Sequence, residues 1–149
     1  MNKHVAPATA LPPTLGCTCF RLRRASRKVT QYYDRYLEPS GLKVTQYSLL
    51  GNIRASEQIS ITELAEALGM DRTTLTRNLK PLLDQGLVTV SEGADRRTRA
   101  IEVTPEGDAA FKRAVPRWKE AQAKLIETVG RDRVTELHRL IDEAVDRLG

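Results

Sequence analysis

The sequence predicts a mainly α-helical protein with one small β-hairpin. Three observations carry that prediction. Apolar residues recur every three to four positions over most of the chain, the spacing of amphipathic helices. Near the middle, residues 60–85 hold two short helical stretches, each with its own start signal, separated by Gly69-Met70. Two short apolar runs then flank the polar tip Gly93-Ala94-Asp95-Arg96-Arg97, the pattern of a hairpin.

The elements follow in order. Over residues 14–37, Leu22, Ala25, Val29, Tyr32, Tyr33 and Tyr36 share a helical stripe, with Arg21, Arg23, Arg24, Arg27 and Lys28 between them. Pro39-Ser40-Gly41 ends this helix, because proline disfavours helix in the residue before it and glycine permits a left-handed turn. A second helix covers residues 45–55, with Tyr47, Leu50 and Ile53 on one side. Ser60-Ile61-Thr62-Glu63 is a capping box that opens a short helix, whose stripe is Ile61, Leu64, Ala65 and Leu68. Asp71 suits the cap of the next helix, which runs to about Gln85. There Leu75, Leu79, Leu82 and Leu83 gather on one face, while Thr73, Arg77 and Lys80 fall opposite and Thr74 and Asn78 lie on a flank. Pro81 is expected to bend its last turn. Gly86 stops it, residues 87–90 form a strand, and residues 98–104 form the return strand. Thr104-Pro105-Glu106 starts a long helix by capping, by proline in the first turn and by an acid at the positive end of the dipole. Pro116 is expected to kink it and Gly130 to end it. A last helix spans residues 132–148, with Val134, Leu137, Ile141, Ala144 and Leu148 on its stripe.

Composition bounds the function. A chain of 149 residues fits one domain, and 40% apolar residues suffice for a core. The net charge of +5, carried mostly by arginine, suits a polyanionic partner. No apolar run approaches the roughly 20 residues that span a bilayer, so no membrane role is expected. Residues 1–13, rich in Ala, Pro and Thr, read as a mobile N-terminal arm without an export signal. Two cysteines are too few for a disulfide framework, and both features favour the cytoplasm. No cofactor or metal is expected. Cys17 and Cys19 would project about 200° apart on a helix, with only His4 and His138 to assist. A disulfide between these near neighbours is strained, whereas one between subunits stays open. No motif places either histidine beside a nucleophile or paired acids, which argues against an enzyme.

Residues 60–103 carry the function. Helix, turn, helix and hairpin together make a winged helix. The major groove admits one α-helix, and base edges there are read by arginine and short polar side chains. Thr73, Thr74, Arg77, Asn78 and Lys80 supply such a face, and Arg96, Arg97 and Arg99 supply a basic wing suited to the adjacent minor groove. Asp95 reads as a structural partner of that tip. The competing reading is a winged-helix module that binds protein, but such interfaces favour aromatic and apolar anchors. The flanking helices carry more apolar stripe than the winged helix needs, which points to a homodimer that sets two recognition helices about 34 Å apart. The expected units are the arm at 1–13, a first dimerisation helix at 14–41, the winged helix-turn-helix domain at 42–104 and C-terminal dimerisation helices at 105–149.

Several strings, in this order and spacing, carry a resemblance. They are Leu42-Lys43-Val44-Thr45-Gln46-Tyr47, Leu64-Ala65-Glu66-Ala67-Leu68 and Thr73-Thr74-Leu75-Thr76-Arg77. To these add Leu82-Leu83-Asp84-Gln85-Gly86-Leu87-Val88, Asp95-Arg96-Arg97 and Val103-Thr104-Pro105-Glu106-Gly107. From Leu15 onward the chain resembles a MarR-family transcriptional regulator. The resemblance implies a triangular homodimer on pseudo-palindromic operator DNA, most often a repressor that an effector releases. Thr89-Val90 stand where family members often carry a basic residue, so no phosphate contact is expected there.

Two kinds of signal are open. The family's ligand cleft lies between the dimerisation helices and the winged helix, which implies a small aromatic or phenolic effector. Here Tyr32, Tyr36, Tyr47, Phe111 and Trp118 are the aromatic candidates for its lining, with Arg24 or Arg27 facing a carboxylate. Alternatively, Cys19-Phe20 with Arg27 and Tyr33 is similar to the first helix of the organic-hydroperoxide-sensing branch. That similarity implies a peroxide-reactive Cys19 hydrogen-bonded by Tyr33. Arg21, Arg23 and Arg24 bring positive charge to it, and the thiolate is the reactive form. Arg23 stands where that branch has a second tyrosine.

Overall fold

Caps and glycine stops, rather than apolar runs alone, decide where the helices of this chain begin and end. The computed structural model describes residues 16–92 and 99–149. Its elements are α1 (Thr18–Leu37), α2 (Val44–Ala55), β1 (Ile59–Ser60), α3 (Ile61–Ala67), α4 (Arg72–Asp84), β2 (Val88–Glu92), β3 (Arg99–Val103), α5 (Pro105–Val129) and α6 (Arg131–Leu148). A single 3₁₀ turn, Glu38–Ser40, follows α1. The expected mainly helical fold with a small wing is therefore found. The expected arm at 1–13 and the tip arginines Arg96 and Arg97 lie outside the described residues.

The start signals act as local chemistry requires. Ser60 Oγ accepts from the Glu63 amide at 3.1 Å, and Glu63 Oε2 accepts from the Ser60 amide at 2.9 Å. Asp71 Oδ1 accepts from the Thr74 amide at 2.8 Å. Thr104 Oγ1 accepts from the Gly107 amide at 3.0 Å and itself donates to Gly86 O at 2.6 Å. These bonds satisfy amides that a helix start leaves without partners. The start of α2 is capped across the chain, where Asp34 Oδ1 of α1 accepts from the Val44 amide at 2.8 Å. Between α3 and α4, Gly69 takes φ +60°, a conformation open to glycine without a Cβ penalty. The Gly69 amide then reaches Glu66 O and the Met70 amide reaches Ala65 O, closing the turn.

Three expectations need correction. Helix α1 starts at Thr18 rather than Thr14, with Gly16 and Cys17 ahead of it; glycine is a poor helix former. The hairpin is part of a three-stranded antiparallel sheet in the order β1-β3-β2. Ile59 pairs with Ile101, which in turn faces Val90. A two-residue strand has too few positions to display a period. Leu83, placed with the inner leucines, is 39% exposed on α4.

One core joins the elements. Leu37, Leu50, Ile53, Leu64, Leu75, Leu82 and Ile101 are fully buried, and Ala110 and Ala114 of α5 pack into the same cluster. Each large aliphatic side chain buried this way stabilises by about 1.5–3 kcal/mol. The first turns of α5 thus rest on the winged helix itself. Gly107 is required there, because a Cβ would stand 1.9 Å from Leu87 O and 2.8 Å from Val103 Cγ1. Helix α6 contributes one buried residue, Val134, and leaves Leu137, Leu140, Ile141, Val145 and Leu148 exposed.

Candidate nucleic-acid interface and ligand cleft

The outer face of α4 is a shallow groove lined by Arg72, Thr73, Thr76, Arg77, Lys80 and Leu83. Leu75, Leu79 and Leu82 anchor the opposite face in the core, which fixes the helix's rotation. Thr73, Arg77 and Lys80 stand outward as expected, and Arg72 and Thr76 join them. The two additions were legible, since they lie one turn before Thr76 and Lys80 on the same stripe. Thr76 Oγ1 donates back to Arg72 O at 2.7 Å, and Lys80 Nζ donates to Asp84 Oδ2 at 2.7 Å.

Two residues assigned to this face do other work. Thr74 Oγ1 donates to Asp71 Oδ2 at 2.6 Å, so its hydroxyl completes the helix cap. That bond, with the Thr74 amide, holds the Asp71 carboxyl below the usual carboxylate range. Asn78 is half-buried and sends Nδ2 toward Met70 Sδ at 3.9 Å, tying α4 to the turn. Arg99 opens β3, exposed, opposite Glu92 on β2. The base of the wing is fixed through Glu102, whose Oε1 accepts from Gln58 Nε2 at 2.6 Å.

A cleft of about 750 Å³ opens between α1, α2, α5 and α6. Tyr47, Phe111 and Trp118 form one wall. The Tyr47 and Phe111 rings stack at 4.8 Å and 5°, and Tyr47 and Trp118 at 5.9 Å and 23°. Tyr33, Asn52, Gln122 and His138 also line the cleft, and none of the four is among the lining residues expected from the sequence. Their positions depend on contacts such as Tyr33 with Gln122, 89 residues apart. Conversely, Tyr36, Arg24 and Arg27 do not line it. Tyr36 packs on Tyr32 at 5.2 Å, and Arg27 lines a separate shallow groove with Leu22, Arg23 and Ser26.

Two phenols tie α1 to α5. Tyr32 Oη donates to Ala121 O at 2.9 Å, and Tyr33 Oη donates to Gln122 Oε1. Burial, with a hydrogen bond to Tyr36, pushes the Tyr32 phenol up to about 12. Burial raises Tyr33 and Tyr47 as well. A phenol raised above its unfolded value of about 10 stabilises fully below that pH, and the contribution is lost as pH climbs through the folded value. Wild-type stability should therefore fall between pH 10 and 12. Tyr32→Phe should be less stable at pH 7 yet decline less steeply in alkali. An unchanged alkaline slope in denaturant titrations would remove Tyr32 from this role.

Both cysteines are exposed. Cys19 and Tyr33 share α1 and stand 14 positions apart, about 21 Å along a helix, so one chain does not bring them together. Among the described residues no group of His, Cys, Asp and Glu is placed to hold a metal ion, and no helix is long and apolar enough to cross a membrane.

A capped helix pair, a three-stranded wing and an outward basic face define a winged-helix transcriptional regulator. The MarR family model matches residues 40–98. Over 98 residues the chain is 32% identical to the organic hydroperoxide resistance transcriptional regulator of Bacillus subtilis, covering 65% of this chain and 67% of that one. The crystal structure of the M. tuberculosis regulator MosR in complex with DNA is 42% identical, with a TM-score of 0.71 over 86% of this chain and 98% of that one. The repressor CouR bound to a 23-mer DNA duplex is 25% identical, with a TM-score of 0.78 over 89% and 94%. The chain belongs to the MarR family. Its relatives are regulators and not enzymes.

Proposed function

We propose that the protein is a homodimeric repressor that grips pseudo-palindromic operator DNA through α4 and the wing. A small aromatic molecule in the cleft releases it. The outward face of α4 carries this reading, with Arg72, Thr73, Thr76 and Arg77 set on a helix that the core holds by its other side. Its dimensions suit the major groove. MosR and CouR, solved on DNA, support the same use. Arg99, with Arg96 and Arg97 of the tip, suits the flanking minor groove. Arg97→Ala should weaken binding to all sequences alike and lessen its salt dependence by about one contact. A wild-type salt slope in that variant would take the wing out of the interface.

The exposed stripes supply the dimer. Leu22 and Val29 of α1 and Leu137, Leu140, Ile141 and Val145 of α6 expose apolar surface that a symmetry mate would bury. Leu137→Asp combined with Val145→Asp should yield a folded monomer in sedimentation and abolish operator binding. A dimer of unchanged stability would place the interface elsewhere.

A second reading rests on Cys19, exposed at the first turn of α1, and on the hydroperoxide role named for the B. subtilis relative. Oxidation of Cys19 would then release DNA, and contact with Tyr33 would require the second subunit. Cys19→Ser should keep DNA binding and lose release by organic hydroperoxide. Normal release in that variant would eliminate this route.

A further inference from the structure

The charge of the cleft lining departs from the expectation of an anchored carboxylate. Arg24 and Arg27 are absent from it, and among the described residues no Lys, Arg, Asp or Glu lines it. A cation that lies against the aromatic wall is already committed. Arg54 Cζ lies 5.4 Å from the Phe111 ring centroid, and its Nε donates to Asp108 Oδ1 at 2.6 Å. The same carboxylate holds Lys112 Nζ at 2.5 Å. His138 stands exposed at the α6 edge. A charged molecule entering here would give up hydration and gain no opposite charge from the wall.

The polar groups are amides instead. Asn52 Nδ2 donates to Ser48 O at 2.8 Å, which leaves Asn52 Oδ1 to accept from a guest. Gln122 Oε1 accepts from Tyr33, which leaves its NH₂ to donate. Beside them Tyr47 stacks with both Phe111 and Trp118 in nearly parallel planes, a stack that a planar aromatic guest can extend. We propose that the cleft takes an uncharged, planar aromatic molecule carrying both a hydrogen-bond donor and an acceptor, such as a phenol or aromatic amide, in preference to an aromatic carboxylate or amine. This rests on the reading of the cleft as the effector site.

Three matched probes test it on the full-length protein at pH 7: 3-hydroxybenzamide, 3-hydroxybenzoate and 3-hydroxybenzylamine. Calorimetry gives their affinities, and gel shifts on DNA upstream of the protein's own gene give release. The amide should bind at least about tenfold tighter than either charged probe, the smallest gap expected for an unpaired charge losing water. Asn52 is exposed on α2, so Asn52→Lys should fold and should reverse the order of amide and carboxylate. A charged probe that binds wild type as tightly as the amide and releases DNA overturns the uncharged class and leaves the effector reading intact. Amide selectivity without DNA release upholds the class and overturns the effector reading. Binding of no probe, with DNA binding intact, overturns both.

Discussion

Arg77→Ala should cost about 1–3 kcal/mol of DNA-binding free energy for each recognition helix. A dimer carries two, so affinity should drop roughly thirtyfold or more. The reason lies in how α4 is held. Leu75, Leu79 and Leu82 pin the helix to the core, so Arg77 has a fixed outward direction and a rigid base. Arginine also has the planar donor fork that matches a guanine edge or a phosphate. Lys80 shares the face, but its ammonium is paired with Asp84 at 2.7 Å. Exposed pairs of this kind are weak, so Lys80 can exchange the Asp84 carboxylate for a phosphate at little cost. Lys80→Ala should therefore weaken binding less than Arg77→Ala and lower the salt slope by about one. Gel shifts or fluorescence anisotropy at two salt concentrations measure both. Equal, small losses in the two variants would mean that this face stays in solvent.

Gly107→Ala should destabilise the fold strongly. The added methyl would meet Leu87 O at 1.9 Å and Val103 Cγ1 at 2.8 Å. The first of these is a backbone atom, so no side-chain rotation relieves the clash. Leu87 O also accepts from the Thr104 amide at 3.1 Å, so moving it disturbs the junction of β2, β3 and α5. Overpacking against a rigid neighbour costs about 1–3 kcal/mol and more where backbone must shift. A loss at the upper end, about 3 kcal/mol, lowers the melting temperature by roughly 6–12 °C for a chain of this size. Thermal or urea denaturation reads this directly. A midpoint within a degree of wild type would show that α5 does not approach the wing base so closely.

How much was legible in the sequence follows from the range of each interaction. Caps are local, and Ser60 with Glu63, Asp71 and Thr104 all behave as their spacing implies. The outward set Thr73, Arg77 and Lys80 was legible because leucines on the opposite face fix the helix's rotation. Leu83 was misplaced because an apolar residue at the edge of a stripe carries no mark of which side it faces. Thr74 and Asn78 show a different limit. Their polarity marked them as possible readers of DNA, but Asp71 and Met70, three and eight residues away, engage them. The cleft was least legible. Tyr47 and Trp118 sit in it, yet their neighbours are set by helix crossings between residues far apart in the chain. Arg24 and Arg27 lie on α1 with no local feature to say which side faces α5, and they fall outside the cleft. A two-residue strand such as β1 exists through its pairing with Ile101 and Ala100, which no local pattern records.

On the proposed function, two copies of α4 read one operator. Hydroxyl-radical footprinting on DNA upstream of the protein's own gene, with sedimentation of the complex, tests it most directly. Two protected half-sites should appear, centred about 10 base pairs, or one helical turn, apart and occupied by a single dimer. Arg77→Ala should erase both footprints together. Protection of one half-site by a monomer, or footprints that survive the loss of Arg77, would contradict it.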